Sequence, residues 1–392
     1  MATTGDPKTS QRAASLDAAI NTAFARGDYK RGLDALRILG ELVPDDTETQ
    51  HRLAVIEEQI GDPERALAAH RNALNLSPAN PLAYLYAAYC LQQQGHIDEA
   101  QRLYSLGSDL DSRFLNPEPG TDPTSERYLA ASSALRAHLS ALHRASVGDE
   151  DATRRIRDAI WTRTHDQSFT FRQTRQTPHL FYIPALEPAA YFATDPWHWA
   201  SSLERSTAAI LEEFVAATPL VNEQGRPYLS KDMAPGEAFA PLVGSLNWTA
   251  LDLFRDGKAV ASVCEHFPRT LAALSHVPLY GLDENPYEVF FSVLKPGQHI
   301  TPHYGLSNHS LTVHLPLITP QPGHLTVDGE QRSWEFGKLI AFDDTYLHEA
   351  HNHSSEQRVV LIFSIWHPQL SEPERRAIQR SFNARQAWLA TR

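Results

Sequence analysis

The run Gly297-Gln-His-Ile-Thr-Pro-His303-Tyr-Gly305, then Phe342-Asp-Asp-Thr-Tyr-Leu-His348, then Arg358 at the head of a long apolar stretch, decides how the second half of this chain folds. Around these residues, β-prone segments at 289–294, 311–317, 325–327, 339–342 and 359–366 alternate with Gly, Pro and Asp turns. Short runs spaced this closely predict antiparallel strands in a closed or double-sheet β fold. Successive side chains on a strand point to opposite faces. Arg358, Val360, Ile362 and Ser364 therefore share one face of the last strand, and Val359, Leu361, Phe363 and Ile365 the other. One face can line a pocket while the other packs into a core.

His303 and His348 lie 45 residues apart, and Arg358 follows the second by ten. Two histidines from separate strands, with an arginine nearby, fit a mononuclear iron site whose co-substrate carries a carboxylate. Imidazole suits Fe(II), and a guanidinium grips a carboxylate through two parallel hydrogen bonds. His351 and His353 could compete as ligands but are expected in the turn after the strand, and His299 in a loop. A third, carboxylate ligand would ordinarily stand two residues after the first histidine, and that position is Gly305. Two protein ligands are therefore expected, with Asp343 or Asp344 orienting water from behind them.

The segments Phe291-Ser-Val-Leu-Lys-Pro-Gly297, Pro302-His-Tyr-Gly305, Val313-His-Leu-Pro-Leu317, Trp334-Glu-Phe-Gly-Lys338, Phe342-Asp-Asp344, His348-Glu349 and Trp366-His-Pro368, with Asn308, carry a family resemblance. Over about residues 180 to 375 the chain resembles the aspartyl/asparaginyl β-hydroxylases, which are Fe(II)/2-oxoglutarate-dependent oxygenases. The resemblance implies a double-stranded β-helix of the jelly-roll or cupin kind, with Fe(II) held by His303 and His348. It also implies 2-oxoglutarate and O2 as co-substrates, with Arg358 on the far carboxylate and Trp248, Ser292, Thr312, Val313 and His314 around the rest. Catalytic roles then fall to His303, His348 and Arg358. The implied reaction is oxidative decarboxylation of 2-oxoglutarate coupled to hydroxylation of an unactivated carbon, the β-carbon of an Asp or Asn residue in a peptide or protein. Two alternatives keep their place: the same chemistry on a lipid, free amino acid or peptide natural product, and an interaction protein whose barrel holds metal without turnover. The family carries an arginine two residues before His314, where this chain has Thr312. Loss of one charge-assisted hydrogen bond there costs about 1.5–3 kcal/mol, so either another basic residue replaces the arginine, or co-substrate binding is weaker, or its geometry differs.

Upstream, Gly27, Gly61 and Gly95 recur at a 34-residue interval, each followed five residues later by a small residue: Gly32, Ala66 and Ala100. Pro44 and Pro78 close the first two units. This period resembles the tetratricopeptide repeat, in which small side chains let paired helices pack closely. The expected organisation is α+β and multidomain: a disordered tail at 1–14, helical repeats at 15–112, a helical connector at 113–177, and the β domain with a C-terminal helix at 178–392. Residues 220–288, dotted with prolines, are expected as loops around a pocket mouth. A net charge of −12 argues against nucleic acid or an anionic membrane as the main partner. A peptide or protein substrate is expected instead, and the repeats either deliver it or only pack against the β domain. Cys90 and Cys264, the two cysteines present, suggest no disulfide framework. No membrane-spanning run or signal peptide is apparent, so a soluble cytoplasmic protein is expected.

Overall fold

A computed structural model describes residues 7–230 and 237–392. Six helices form three antiparallel pairs: α1 (Pro7–Ala25) with α2 (Tyr29–Leu42), α3 (Thr47–Ile60) with α4 (Pro63–Leu76), and α5 (Pro81–Gln93) with α6 (Ile97–Leu110). Asp28, Asp46, Asp62 and Asn80 cap α2 to α5 by accepting backbone N–H groups that have no partner within the helix. Pro63 and Pro81 occupy the first turns, where a missing N–H costs nothing. Gly27 and Gly95 turn the chain between paired helices with φ of 76° and 83°, a conformation that disfavours side chains.

Residues 7–14, expected in a disordered tail, are instead the first turns of α1. Nothing breaks the helix there, and Ala13 and Leu16 pack against the core formed by Ile20, Leu36 and Leu39. The rest of the expected tail, residues 1–6, lies outside the described residues. Asp122 caps α7 (Pro123–Val147) through the backbone N–H groups of Thr124 and Ser125, at 3.0 and 3.1 Å. The expected connector at 113–177 is not a separate piece. The chain divides between Ala141 and Leu142, inside α7, with Trp388–Arg392 belonging to the first unit. Tyr128, Ala131 and Leu135 enter the core of the repeats, whereas Val147, Ile156 and Trp161 enter a core of the second unit.

In the second unit, α8 (Arg154–Arg157), β1 (Ile160–Trp161), β2 (Phe181–Tyr182) and β3 (Tyr191–Phe192) lead to α9 (Ala200–Arg205), α10 (Thr207–Ala216) and α11 (Thr218–Gln224). Then follow β4 (Arg226–Pro227), β5 (Trp248–Arg255), β6 (Lys258–Ala259), α12 (Ala261–Cys264) and α13 (Pro268–Leu274). The remaining strands are β7 (Val289–Leu294), β8 (His299–His303), β9 (Ser310–Ile318), β10 (Gly323–Val327), β11 (Glu330–Ser333), β12 (Ile340–Phe342), β13 (His348–Asn352) and β14 (Arg358–Trp366), before α14 (Glu372–Ala390). Glu374 accepts from the backbone N–H of Ser371 at 2.9 Å, the reciprocal half of the capping box that starts α14.

β1 and β2 pair with each other, and the other strands form two larger antiparallel sheets. The larger runs β3-β12-β9-β14-β7-β5-β4, with β6 on β5, and the smaller runs β11-β10-β13-β8. Leu325, Val327, Ile300 and Ala350 of the smaller sheet meet Phe290, Leu294, Phe342 and Val360 of the larger in one apolar core. This is a double-stranded β-helix. The reverse face of the larger sheet, including Phe291, Val313, Leu361 and Phe363, packs on α9, α10 and α13.

The five expected strands all form, and the stretch expected as loops contains the further strands β4, β5 and β6, of which β5 pairs along β7. Its first six residues are all buried, so the polar–apolar alternation that marks a strand is missing. His299 and His351, expected in a loop and a turn, sit opposite each other on β8 and β13. No described helix is long and apolar enough to cross a membrane.

Candidate active site

His303 ends β8 and His348 begins β13, and the register sets them directly opposite each other. Their ring centroids are 4.0 Å apart. Each Nδ1 is 2.8–3.0 Å from the backbone carbonyl two residues upstream, Thr301 for His303 and Tyr346 for His348. A carbonyl only accepts, so Nδ1 carries the proton in both rings and both Nε2 lone pairs are left as donors to a metal. Burial pushes the pKa of His303 down to about 3, reinforced by His348, and that of His348 down to about 4. Both imidazoles are therefore neutral near pH 7, the form that ligates.

Arg358 is 1% exposed, on the inner face of β14. Its Nη1 donates to the Ser292 carbonyl at 3.3 Å and to Ser292 Oγ at 3.1 Å, while its Nε has no hydrogen-bond partner. The guanidinium lies 4.7 Å over the Trp334 ring. No carboxylate forms an ion pair with it among the described residues. Burial pulls its pKa down to about 9, which still leaves it charged at neutral pH. A buried charge without a counter-ion costs several kcal/mol, so this arrangement fits a carboxylate ligand that brings the missing charge.

Ser292 Oγ also accepts from Trp248 Nε1 at 3.1 Å. With both lone pairs occupied by N–H donors, its own hydroxyl proton is left to donate elsewhere, as a bound carboxylate would require. Trp334 Nε1 donates to His314 Nδ1 at 3.2 Å. Burial holds the pKa of His314 well below its usual value, so that ring is neutral with its proton on Nε2, a second available donor. Trp248, Ser292, His314 and Arg358 thus line one wall of the barrel interior. Trp334 joins them; it stood within a recognisable motif in the sequence, but nothing there signalled its contact with both Arg358 and His314.

Two expected positions differ. Val313 is fully buried on the opposite face of β9 from His314, against the helices, so its side chain cannot reach this interior. Thr312 does face inward, but its hydroxyl donates to Asp344 Oδ2 at 3.2 Å. The two candidate aspartates also separate. Asp343 accepts from Gln176 Nε2 at 2.7 Å and from the backbone N–H of Thr345 at 2.9 Å, bracing the turn before His348. Asp344 is left with the Thr312 hydroxyl, and burial raises its pKa to about 6.

Residues 204–368 match the family described as aspartyl/asparaginyl beta-hydroxylase, and residues 59–112 match the tetratricopeptide repeat. The mouse protein named aspartyl/asparaginyl beta-hydroxylase is 25% identical over 90% of this chain and 44% of its own length. The human protein of that name is likewise 25% identical, over 90% of this chain and 42% of its own length. Mouse aspartate beta-hydroxylase domain-containing protein 2 is 33% identical over 53% of this chain and 59% of its own length. The chain thus spans about half the length of the curated relatives it matches.

Proposed function

We propose that this protein is an Fe(II)/2-oxoglutarate-dependent dioxygenase hydroxylating the β-carbon of an Asp or Asn residue in a peptide or protein, because residues 204–368 match the aspartyl/asparaginyl β-hydroxylase family and residues 59–112 the tetratricopeptide repeat. The observation that carries this reading is the buried guanidinium of Arg358, which has no counter-ion among the described residues, inside the same barrel as two neutral imidazoles whose Nε2 atoms make no hydrogen bond among those residues. Neither feature stabilises the fold by itself; together they suit a metal and a dicarboxylate.

His303 and His348 would hold the iron through Nε2, and Arg358 and Ser292 the distal carboxylate of 2-oxoglutarate. When bound, iron with 2-oxoglutarate and O2 supplies the oxidising power for attack on an unactivated carbon. The chain's own share is positioning and exclusion of water. The Thr301 and Tyr346 carbonyls keep both imidazoles in the ligating tautomer. Trp248 turns the Ser292 hydroxyl toward the carboxylate site, and Trp334 covers the guanidinium. His314 would donate from Nε2 to the co-substrate's metal-binding end. With Thr312 in place of an arginine, that end lacks a cation, so weak co-substrate binding is expected.

The repeats would recruit the protein substrate. The unpaired Cys90 and Cys264 suit a reducing compartment such as the cytoplasm. The deciding experiment measures succinate from 2-oxoglutarate with purified protein, Fe(II) and O2. Formation that disappears in both His303→Ala and His348→Ala supports the reading, and succinate that persists in either overturns it.

A further inference from the structure

The reverse face of the strands that carry the two imidazoles bears a second cluster of metal-ligating side chains. Along β13, His348 and Ala350 point into the barrel, so Glu349 and His351 point outward. His299 on β8 lies opposite His351, and His324 on β10 lies opposite it on the other side. His353 follows two residues beyond His351. Four imidazoles and one carboxylate therefore share one patch, while Ile300, Leu325 and Ala350 on the other face fill the core.

Three of these residues converge. His299 Nε2 is 2.7 Å from Glu349 Oε2, and His351 Nε2 is 3.8 Å from the same oxygen. The His299 and His351 rings stack with centroids 3.4 Å apart and planes 20° from parallel. One nitrogen from each ring and one carboxylate oxygen all lie within 4.8 Å of one another. Zinc–nitrogen and zinc–oxygen bonds of about 2.0–2.2 Å in a tetrahedral site separate the ligand atoms by roughly 3.3–3.6 Å. Reaching that spacing requires the two stacked rings to turn so that both nitrogens face the same point beside Glu349. The side chains are 33%, 28% and 23% exposed, which leaves an approach for an ion from solvent and room for a water in the fourth position. His353, with its ring 4.4 Å from that of His351, is an alternative fourth ligand.

We propose that His299, Glu349 and His351 form a second, outer metal site that takes a zinc-type divalent ion and ties β8 to β13 behind His303 and His348. A ligand set of two histidines and one carboxylate suits Zn²⁺, and zinc binds such N/O sites more tightly than Fe²⁺. The outer site stands on its own residues and does not depend on the oxygenase reading.

The test titrates Zn²⁺ into the full chain carrying both His303→Ala and His348→Ala, after removal of metal by a chelator, and follows binding by calorimetry. One equivalent is expected to bind, and Co²⁺ in its place is expected to give the visible d–d absorption of a four-coordinate site. Adding His299→Ala or His351→Ala should abolish both signals, and Glu349→Gln should weaken binding about tenfold or more. Melting of the metal-free chain, followed by circular dichroism, should be unchanged by these surface substitutions, which separates ligand loss from misfolding. Absence of binding in the double variant, or binding indifferent to His299 and His351, overturns the proposal.

Discussion

The carboxylate of Asp344 lies where a β-carbon on Gly305 would have to stand. The same pair is joined through the backbone, with the Gly305 N–H donating to the Asp344 carbonyl at 2.6 Å. Gly305 is the position at which a third, carboxylate ligand would be expected after His303, and here a carboxylate arrives beside it from the turn between β12 and β13.

Substituting Gly305 should therefore disrupt the site instead of completing it. In Gly305→Ala the new methyl group must displace Asp344 and break its bond to Thr312. Overpacking of this kind costs about 1–3 kcal/mol. Urea denaturation of metal-free protein should show a loss in that range, with succinate formation reduced at least about tenfold. Gly305→Asp should be no better. If it instead bound iron more tightly than the parent with full turnover, Asp344 would have no part in shaping the site.

Arg358 gives a prediction with opposite signs for folding and binding. Replacing a buried charge that lacks a counter-ion with an apolar residue of similar length is neutral or stabilising. Arg358→Met should hold or raise the melting temperature of the ligand-free protein. It should also raise the half-saturating 2-oxoglutarate concentration by about a hundredfold or more, through loss of a charge-assisted pair. Arg358→Lys keeps a charge but not the two-pronged geometry, and should lie between them in affinity. A large stability loss in Arg358→Met with unaltered co-substrate binding would make the guanidinium structural.

Much of this architecture was legible in the sequence because its strands are apolar and short and its turns carry Gly, Pro and Asp. The 34-residue spacing of Gly27, Gly61 and Gly95 marked the helix pairs, and the face-sharing of Arg358 with Val360 and Ile362 marked the inner wall. What escaped depended on pairing. β8 and β13 contain His299, Pro302, Glu349 and His351, residues with little strand preference alone, and they become strands by hydrogen bonding to each other and, in β13, to β10. β5 escaped because burial on both faces erases alternation. Val313 shows the complementary limit, since adjacency to His314 in sequence sends its side chain the opposite way.

In the repeats, Gly107 is held to glycine by Phe114, whose ring a β-carbon at 107 would overlap. Phe114 is fully buried and cannot retreat, edge-on to Tyr128 at 5.2 Å and beside Tyr104 at 6.4 Å. Gly107→Ala gains about 1 kcal/mol of helix propensity and loses about 1–3 kcal/mol to overpacking. The larger Gly107→Val should lose clearly more than it gains. Thermal denaturation should show earlier melting for the valine variant, while succinate formation without protein substrate, assayed well below that temperature, should stay at the parent level. A valine variant that melts like the parent would mean that the Phe114 box is loose.

His143 supplies a pH dependence away from the proposed metal ligands. It is 5% exposed, with Nδ1 at 2.7 Å from Ser381 Oγ and Nε2 at 3.0 Å from the Ile156 carbonyl. The carbonyl requires the proton on Nε2, so Nδ1 accepts from the serine and the ring is neutral. Burial lowers its pKa from 6.5 to about 4. As pH falls below 6.5 the unfolded chain takes up this proton and the folded chain does not. The stabilisation is therefore complete above about 6.5 and is lost on acidification toward 4. Between pH 7 and pH 5 this amounts to about 2 kcal/mol. Urea denaturation in the presence of chelator should show the parent losing about that much more than His143→Gln over the same interval. Parallel losses in the two proteins would mean that His143 titrates normally in the folded state, and that its bonds to Ser381 and Ile156 do not hold it neutral.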